Sequence, residues 1–227
     1  MRLCSILLLI VSVTFSQQKE DRRIAVEREN TVSFFGGMGI HVVRAADIVE
    51  YINAVTSFSQ RVDDYGTAVG FFGGFDIPIS EDWGIAVEHQ YLFKSYSVPG
   101  NLGGTYDIYY SVQAPSVLLQ TVMKGKGYFL KFSGGGGYHF GSVSQKVSTF
   151  GITTEYSAEG IGVLGDAVAQ TAFGEDLYGY IGGTAAWDLL GELKDRNGVP
   201  LAMPRTGKTI TLQLFHAGIR FGIVHYL

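Results

Sequence analysis

The side chains that could do chemistry lie in segments where bulky apolar residues alternate with polar residues or glycine. Successive side chains of an extended strand point to opposite faces, so each segment has one apolar face and one polar face. The ionisable residues predicted on the polar, inward-facing side are Asp76, Glu88, Lys94, Lys131, His139, Asp188, Glu192 and Arg220. Such groups, gathered in one enclosed space, can form ion pairs or line a path for ions.

The charges of this set nearly balance, which favours pairing. Three basic residues (Lys94, Lys131 and Arg220) face four acidic ones. An unpaired buried ion costs several kcal/mol, and a barrel of eight strands is only wide enough for its own side chains to fill it. A structural network that fills the interior is therefore our main interpretation. A gated ion path built from the same residues is the alternative.

One histidine is a candidate for nucleophilic catalysis. His139 and Ser142 lie near one strand end, and Glu155 would have to orient the imidazole. This chemistry needs the base and the hydroxyl within hydrogen-bond reach. Residues three positions apart in a strand point to opposite faces, so the pair does not fit. We predict no catalytic residues and no enzymatic activity.

Metal and phosphate sites have no clear sequence signal. The histidines are scattered singly, without the close pairs typical of metal sites: His41, His89, His139, His216 and His225. Gly207-Lys208-Thr209 resembles the end of a phosphate-binding loop, but Ala202 stands where the motif needs its first glycine. The sequence therefore predicts no metal and no cofactor.

The N-terminus has the pattern of a cleaved export signal, residues 1–16, with cleavage expected between positions 16 and 18. Cys4, the one cysteine, lies inside this signal, so the exported chain is expected to have no thiol chemistry. Removal of Arg2 changes the formal net charge from −4 to −5, which argues against a nucleic-acid partner. Residues 17–30 are charged and are interpreted as a periplasmic lead-in, which leaves 31–227 for the barrel.

Eight segments carry the alternation and predict eight strands. The central pair, within 107–140, is interpreted as a hairpin with a tight turn at 123–126, and in its second arm Tyr128 and Phe132 face away from Lys131. In an exported chain we expect this apolar face to contact lipid. The predicted strands cover about 31–43, 66–78, 83–98, 107–122, 127–140, 154–172, 177–193 and 209–227.

The connections are predicted to alternate between long and short. The short ones lie at 78–82, 123–127 and 173–176, whereas those at 99–105 and 145–153 are among the predicted long loops. Tight turns at one end and longer loops at the other are typical of an all-β, antiparallel, up-and-down transmembrane barrel. An even number of strands then puts both ends of the chain on the periplasmic side.

The first outer loop contains a predicted helix near 47–58. Ile48, Tyr51, Ile52 and Val55 recur at helical spacing, and Asp47 can cap the first turn. Such a helix either packs over the barrel rim, lies on the membrane surface or gates the lumen.

Aromatic residues gather near the predicted membrane borders, as in the girdles of membrane barrels. Trp83, Tyr128 and Tyr226 are predicted on the turn side, and Tyr96, Tyr110 and Phe140 on the loop side. The alternation breaks at Ala114-Pro115 and at Leu214-Phe215, where we predict β-bulges.

The signal, the eight strands and the unequal loops resemble the small outer-membrane barrels of the OmpA/OmpW-like superfamily. The segment APSVLLQTVMKGKGYFLKFSGGGGYHFG is similar to the central hairpin of barrels in Bacteroidetes-type bacteria. Gly218, Phe221 and Ile223 fit part of the family's C-terminal assembly signal, but Tyr226-Leu227 replaces the usual final Phe or Trp.

The resemblance implies an outer-membrane protein of a diderm bacterium, non-enzymatic, with a structural or surface-binding role and a mostly plugged lumen. The implied partners are outer-membrane lipid, the barrel-assembly machinery and an extracellular ligand at the loops, and the implied state is a monomer. The alternative is a narrow porin-like or OmpW-like conduit for small or hydrophobic molecules, lined by Leu92, Leu118 and Leu164. A lipid-modifying barrel enzyme is a third possibility, which a Ser–His pair on adjacent strands at the membrane edge would favour.

Overall fold

The structure is a computed structural model that describes residues 31–55, 61–99, 104–124, 128–147, 151–174 and 176–227. The elements in chain order are β1 (Ser33–Arg44), α1 (Ala46–Val55), β2 (Tyr65–Pro78), β3 (Trp83–Pro99), β4 (Thr105–Lys124), β5 (Tyr128–Val147), β6 (Ile152–Ala172), β7 (Leu177–Glu192) and β8 (Thr211–Tyr226). The predicted export signal (1–16) and lead-in (17–30) lie outside the described residues and stay predictions.

The eight strands form one closed antiparallel barrel, in which each strand pairs with its neighbours in sequence and β1 also pairs with β8. The closing seam runs from Ser33 opposite Tyr226 to Arg44 opposite Phe215. Closure satisfies the backbone hydrogen bonds that the first and last strands of an open sheet would leave exposed. The predicted eight-stranded up-and-down barrel with a short helix after the first strand is confirmed.

The alternation of the sequence becomes an apolar outside and a filled inside. In β1, Phe34, Met38 and Val42 point outward and are 43%, 47% and 55% exposed, whereas His41 and Val43 point inward and are buried. The outward apolar band continues around the barrel through Phe71, Phe75, Val87, Val117, Leu119, Phe132, Ile161, Val163, Ile181, Trp187, Phe215, Ile219 and Phe221. Monomeric soluble proteins rarely expose an apolar surface of this extent.

One ionisable side chain lies within this band on β3. His89 is exposed, and Val87 and Tyr91 flank it on the same face. Its neighbours across the strands are Gly73 of β2 and Pro115 of β4. His89 is therefore an outward-facing histidine, separate from the histidines of the lumen.

One outer connection is shorter than predicted. β3 ends at Pro99 and β4 begins at Thr105, so the connection predicted at 99–105 lies at the predicted position, whereas β5 and β6 remain paired up to Val147 and Ile152, inside the long loop predicted at 145–153. A membrane needs only about 9–11 residues of strand. The additional chain length is kept as paired strand, which satisfies its own backbone hydrogen bonds. The long outer connections are 45–64, which contains α1, and 193–210.

Neither predicted bulge is present. The registers at Ala114-Pro115 and at Leu214-Phe215 continue without a shift. A Cβ at Gly137 would overlap the carbonyl oxygen of Pro115, so this glycine lets the two strands pass without an inserted residue. A register shift occurs instead in β7, between Leu189 and Glu192.

The helix α1 closes the outer end of the barrel. Its buried side chains are Ile48, Val49, Tyr51 and Ile52, and it packs against β8. This is the rim-packing position, and residues 56–58 of the predicted span lie outside the described residues. Among the residues that the structure describes, no helix is long and apolar enough to cross a membrane.

Two apolar clusters fill the two ends of the lumen. We call the outer one the outer plug; it includes Val43, Ile48, Ile52, Leu92, Val112, Leu190, Leu212 and Leu214. The inner cluster includes Phe35, Phe72, Leu118, Leu164, Tyr180 and Tyr226. The polar side chains of the lumen lie beside the inner cluster and beneath the outer plug.

Candidate functional site in the barrel lumen

The layer of the lumen nearest the chain ends is built on Asp76 of β2. Its carboxylate accepts a hydrogen bond and an ion pair from Lys131 Nζ at 2.7 Å, and a hydrogen bond from Gln120 Nε2 at 2.9 Å. Ser33 Oγ adds a longer contact at 3.4 Å. Four strands therefore contribute to one paired carboxylate, as expected for a buried charge.

Arg220 of β8 organises the middle layer. Its guanidinium lies 2.7 Å from Glu88 Oε2 and 3.5 Å from Asp166 Oδ2, and it packs 3.7 Å above the ring of Phe72. Ser133 also donates a hydrogen bond to Asp166. Arg220 is 0% exposed, so this cation depends on its two carboxylates and on the rings of Phe72 and Tyr180, the latter 5.8 Å away.

The third layer is a chain of polar side-chain contacts beneath the outer plug. We call it the histidine belt, and it consists of Ser116, His139, Asp188, His216, His41 and Gln90. On one side, Ser116 Oγ lies 3.0 Å from His139 Nε2, and His139 Nδ1 lies 2.6 Å from Asp188 Oδ1. His139 and Asp188 meet across β6 because Gly162 leaves the space open: a Cβ there would overlap the imidazole and lie 3.0 Å from Asp188 Oδ1.

The other side of the histidine belt links Asp188 to β1 and β3. His216 Nε2 lies 3.5 Å from Asp188 Oδ2, and the Nδ1 atoms of His216 and His41 are 3.3 Å apart. His41 Nε2 lies 3.4 Å from Gln90 Nε2. The belt therefore joins six strands at one level of the lumen.

Ser116, His139 and Asp188 have the contacts of a Ser–His–Asp triad, in which a base activates a hydroxyl and a carboxylate orients the base. All three are buried, between 0% and 3% exposed. Two cavities lie in the lumen, with volumes of about 30 and 20 Å³, and neither is lined by these three residues. Each holds only about one or two water molecules. Neither of these two cavities therefore gives a substrate access to Ser116, His139 and Asp188.

The structure places six of the eight predicted lumen residues inside the barrel: Asp76, Glu88, Lys131, His139, Asp188 and Arg220. Lys94 is instead at the outer rim, where Nζ donates to the Thr67 carbonyl, and Glu192 is exposed and pairs with Lys194 at 3.3 Å. Both lie near strand ends, where the inward direction no longer means burial. The predictions that Lys94 and Glu192 line the lumen are therefore wrong.

The predicted girdle also needs correction. Trp83, Tyr128 and Phe140 point outward and are about half exposed. Tyr110 and Tyr226 are buried inside the barrel, and Tyr226 donates to Gln170 Oε1 at 2.7 Å. Tyr96 packs inward against Tyr110, with ring centroids 6.2 Å apart. These three tyrosines point into the lumen, so their prediction as membrane-border residues is wrong. A position near the end of a strand does not decide whether a side chain points inward or outward.

Among the lumen residues that sequence reasoning missed are Asp166, Ser116, His41 and His216. Strand parity would have placed three of them, since His41 alternates with Ile40 and Val42, and Ser116 with Val117 and Pro115. Ser142, the candidate serine near His139 in sequence, points outward and contacts Ser111 Oγ at 2.9 Å. The serine partner of His139 is on the adjacent strand.

The outer end has a polar attachment of its own. Asp47 of α1 accepts hydrogen bonds from Thr211 Oγ1 at 2.6 Å and from Lys208 Nζ at 3.1 Å. Burial alone would raise the pKa of the Asp47 carboxyl, but these hydrogen bonds outweigh burial and hold its pKa below its usual range. Tyr51 OH lies 3.3 Å from Gln145 Oε1, which also accepts from Tyr106. These contacts fix α1 on the barrel mouth.

An outer cleft of about 900 Å³ lies beside α1. Its lining carries both signs of charge: Glu50, Arg61, Asp63, Asp64 and Arg205. Within the described residues, no group of three or more His, Cys, Asp or Glu side chains is arranged to hold a metal ion.

No family model and no curated protein matches the chain. Among solved structures, Neisserial surface protein A (NspA) is similar over 86% of this chain and 97% of that chain, at 6% identity and a TM-score of 0.52. The chain has the fold of the small outer-membrane barrels. The attachment invasion locus protein Ail of Yersinia pestis aligns with 86% of this chain and 99% of its own, at 12% identity and a TM-score of 0.48.

A third outer-membrane-barrel neighbour is the outer membrane protease OmpT from Escherichia coli, which aligns over 88% of this chain and 97% of its own, at 8% identity and a TM-score of 0.47. At these identities the likeness concerns the fold alone. At that level the OmpA/OmpW-like resemblance is confirmed, and the narrower Bacteroidetes-type resemblance stays a prediction.

Proposed function

We propose that the chain is a non-enzymatic outer-membrane barrel whose lumen is a structural plug and whose binding capacity lies at its outer end. The observation that carries the proposal is the filled lumen. Arg220 and Asp188 are 0% exposed within paired layers, and the outer plug with α1 covers these layers. The two lumen cavities hold only about one or two water molecules each, so no continuous path for ions joins the layers.

Three observations support a place in an outer membrane. The outward band is apolar around the barrel, with Trp83 and Tyr128 toward one border and Phe140 toward the other. The barrel fold is closed and shares its architecture with outer-membrane proteins. Residues 1–16 have the pattern of an export signal.

The conduit alternative is less well supported. Leu92, Leu118 and Leu164 do face inward, but they are at most 5% exposed and pack within the two apolar clusters. Inward leucines that contact one another fill space rather than line a path. For the same reason the enclosed Ser116–His139–Asp188 contacts favour a structural role over an enzymatic one.

The outer end is where a ligand has access. The cleft beside α1 presents acidic Glu50 and Asp63 next to basic Arg61, a surface suited to polar partners. Outer-membrane lipid, the barrel-assembly machinery, an extracellular ligand and a monomeric state remain the predicted partners and assembly.

Planar-bilayer conductance of the refolded chain tests the plug. We expect no current from the wild type at pH 7.5, and none from the Glu88→Ala and Arg220→Ala variants that still fold. A heat-dependent shift in gel mobility shows which preparations are folded. Steady or gated current that these substitutions alter would make the lumen a path and contradict the plug.

The same preparations test the membrane location. We expect the folded chain to need detergent or lipid to stay in solution. A folded chain that stays soluble without detergent would contradict the outer-membrane proposal whatever the conductance shows.

A further inference from the structure

The His41 branch of the histidine belt fits one arrangement of hydrogens. The Gln90 amide donates to His41 Nε2, so the hydrogen of neutral His41 is on Nδ1 and is donated to Nδ1 of His216. His216 therefore accepts at Nδ1 and directs its Nε2 hydrogen toward Asp188 Oδ2, 3.5 Å away. This oxygen is buried and otherwise has no hydrogen-bond partner in the described structure.

The His139 branch converges on the same carboxylate. His139 Nδ1 donates to Asp188 Oδ1, and its Nε2 accepts from the hydroxyl of Ser116. All three imidazoles are neutral in this arrangement, and Asp188 is the charged group of the belt. Imidazole is the side chain whose ordinary protonation falls between about pH 8 and pH 5. We therefore expect the histidine belt to respond to acidification in this range.

Two protons can be added without breaking a contact. The first goes to His139 Nε2, because the Ser116 hydroxyl can rotate and accept instead of donating. The second goes to His41 Nε2, because the Gln90 amide can turn its oxygen toward that nitrogen. A third proton would have to go to His216 Nδ1, where it would face the Nδ1 hydrogen of His41 across 3.3 Å.

The charges around the histidine belt also indicate a limit of two added protons. Below it lie Arg220 of β8, Glu88 of β3 and Asp166 of β6, and beyond them Asp76 of β2 and Lys131 of β5. Including Asp188, four buried carboxylates face two cations among these described residues, so two added protons complete the balance. The facing parts of β4, of the outer plug and of α1 are Ser116, apolar side chains and the phenols of Tyr110 and Tyr51, which supply no further carboxylate.

We propose that the His41–His216 contact is an acid-sensitive switch in the closed lumen. The folded belt holds at most two protons on its three imidazoles, and the third separates His41 from His216 directly beneath the outer plug. Val43 and Leu214, the next inward residues on the same two strands, belong to that plug. Acidification therefore destabilises the closed barrel from within.

The test is equilibrium unfolding by urea between pH 7.5 and pH 5, in lipid vesicles, followed by the fluorescence of Trp83 and Trp187, the two tryptophans of the chain. Below the ordinary imidazole pKa of about 6.5 the unfolded chain gains a proton on each of these three imidazoles, whereas the folded belt holds at most two. The unfolding equilibrium constant of the wild type is therefore expected to rise about tenfold per pH unit toward pH 5 from this source.

His41→Gln separates the switch from other titrations. The glutamine amide that it introduces can donate to His216 or accept from it, so both remaining imidazoles can be protonated in the folded state and the tenfold rise is expected to disappear. His225→Gln is the matched control, because His225 is exposed at the end of β8, outside the lumen and away from the middle of the apolar band, and it is expected to keep the wild-type profile. If His41→Gln does not fold, His216→Gln takes its place.

Equal pH dependence in the wild type and in His41→Gln would overturn the switch, as would loss of the dependence in His225→Gln. The inference rests on the closed lumen proposed above, and the two fail differently. Current at pH 7.5 refutes the plug, whereas silence at pH 7.5 with matching unfolding profiles refutes the switch alone.

Discussion

Replacing Arg220 by methionine removes the cation that two buried carboxylates of the lumen share. Methionine keeps most of the side-chain length and its packing over Phe72, which lies 3.7 Å from the guanidinium. Glu88 and Asp166 would then lie in the lumen without a counter-charge. Breaking a buried pair by removing one partner costs about 3–5 kcal/mol, so we expect the free energy of unfolding to fall by about 4 kcal/mol.

The assay is urea unfolding at pH 7.5, followed by tryptophan fluorescence. With a slope of about 2 kcal/mol per molar urea, the loss corresponds to a midpoint about 2 M lower. Adding Glu88→Gln to Arg220→Met removes one of the stranded charges and should restore about half of the shift. Such recovery is the sign that the damage is electrostatic rather than a packing defect.

Arg196→Met is the matched control. Arg196 pairs with Glu155 at 2.7 Å, the same distance as Arg220 and Glu88, but the Arg196 side chain is 84% exposed. Exposed pairs contribute little, so its midpoint is expected to stay within about 0.5 M of the wild type. A similar midpoint shift for Arg220→Met and Arg196→Met, or no recovery on adding Glu88→Gln, would refute the reasoning.

Two further predictions concern the histidine belt and the outer helix. Gly162→Ala places a methyl group against the His139 imidazole, so we expect the free energy of unfolding, measured with urea, to fall by about 2–4 kcal/mol. Gly165→Ala is the control. Its Cβ would meet only the Ser133 carbonyl oxygen, at 3.6 Å, so we expect it to be nearly neutral. The lowered pKa of Asp47 means that its bond to Thr211 stabilises α1 above the usual aspartate range and is lost as the pH falls below about 4. The protection factors of the α1 amides, which correct for the intrinsic pH dependence of exchange, should therefore fall several-fold on acidification in the wild type but not in Asp47→Asn, and an equal fall in both would contradict this.

Alternation in the sequence was enough to predict the strands and most of their facing. Bulky apolar residues such as Phe132 and Ile181 recur every second position, so Lys131 and Arg220 had to face the other way. The closed barrel follows from this pattern, because lipid outside and a filled lumen inside give every strand two unlike faces. Facing could be read from the sequence because it depends only on neighbours along the chain.

Partners across the lumen could not be read in the same way. Arg220 and Glu88 are 132 residues apart in sequence, and their meeting depends on the register around the whole barrel. Asp166 lies in a glycine- and alanine-rich strand, where the adjacent Val163 and Leu164 interrupt the alternation of bulky residues. The interior tyrosines were misplaced because aromatic rings suit both a membrane border and a packed lumen, and residue type alone does not distinguish the two.

The paired layers also decide between alternative registers of the barrel. A slip of β8 by one residue would turn Arg220 to the outer face, where a cation costs about 2–4 kcal/mol at the middle of a bilayer. The same slip would leave Glu88 and Asp166 without their cation. A slip by two residues would keep the facing but move Arg220 away from both carboxylates along the barrel axis. A buried ion pair adds little net stability but is costly to break. The charged lumen therefore favours this register of the barrel over the neighbouring registers more than it favours the folded state over the unfolded state.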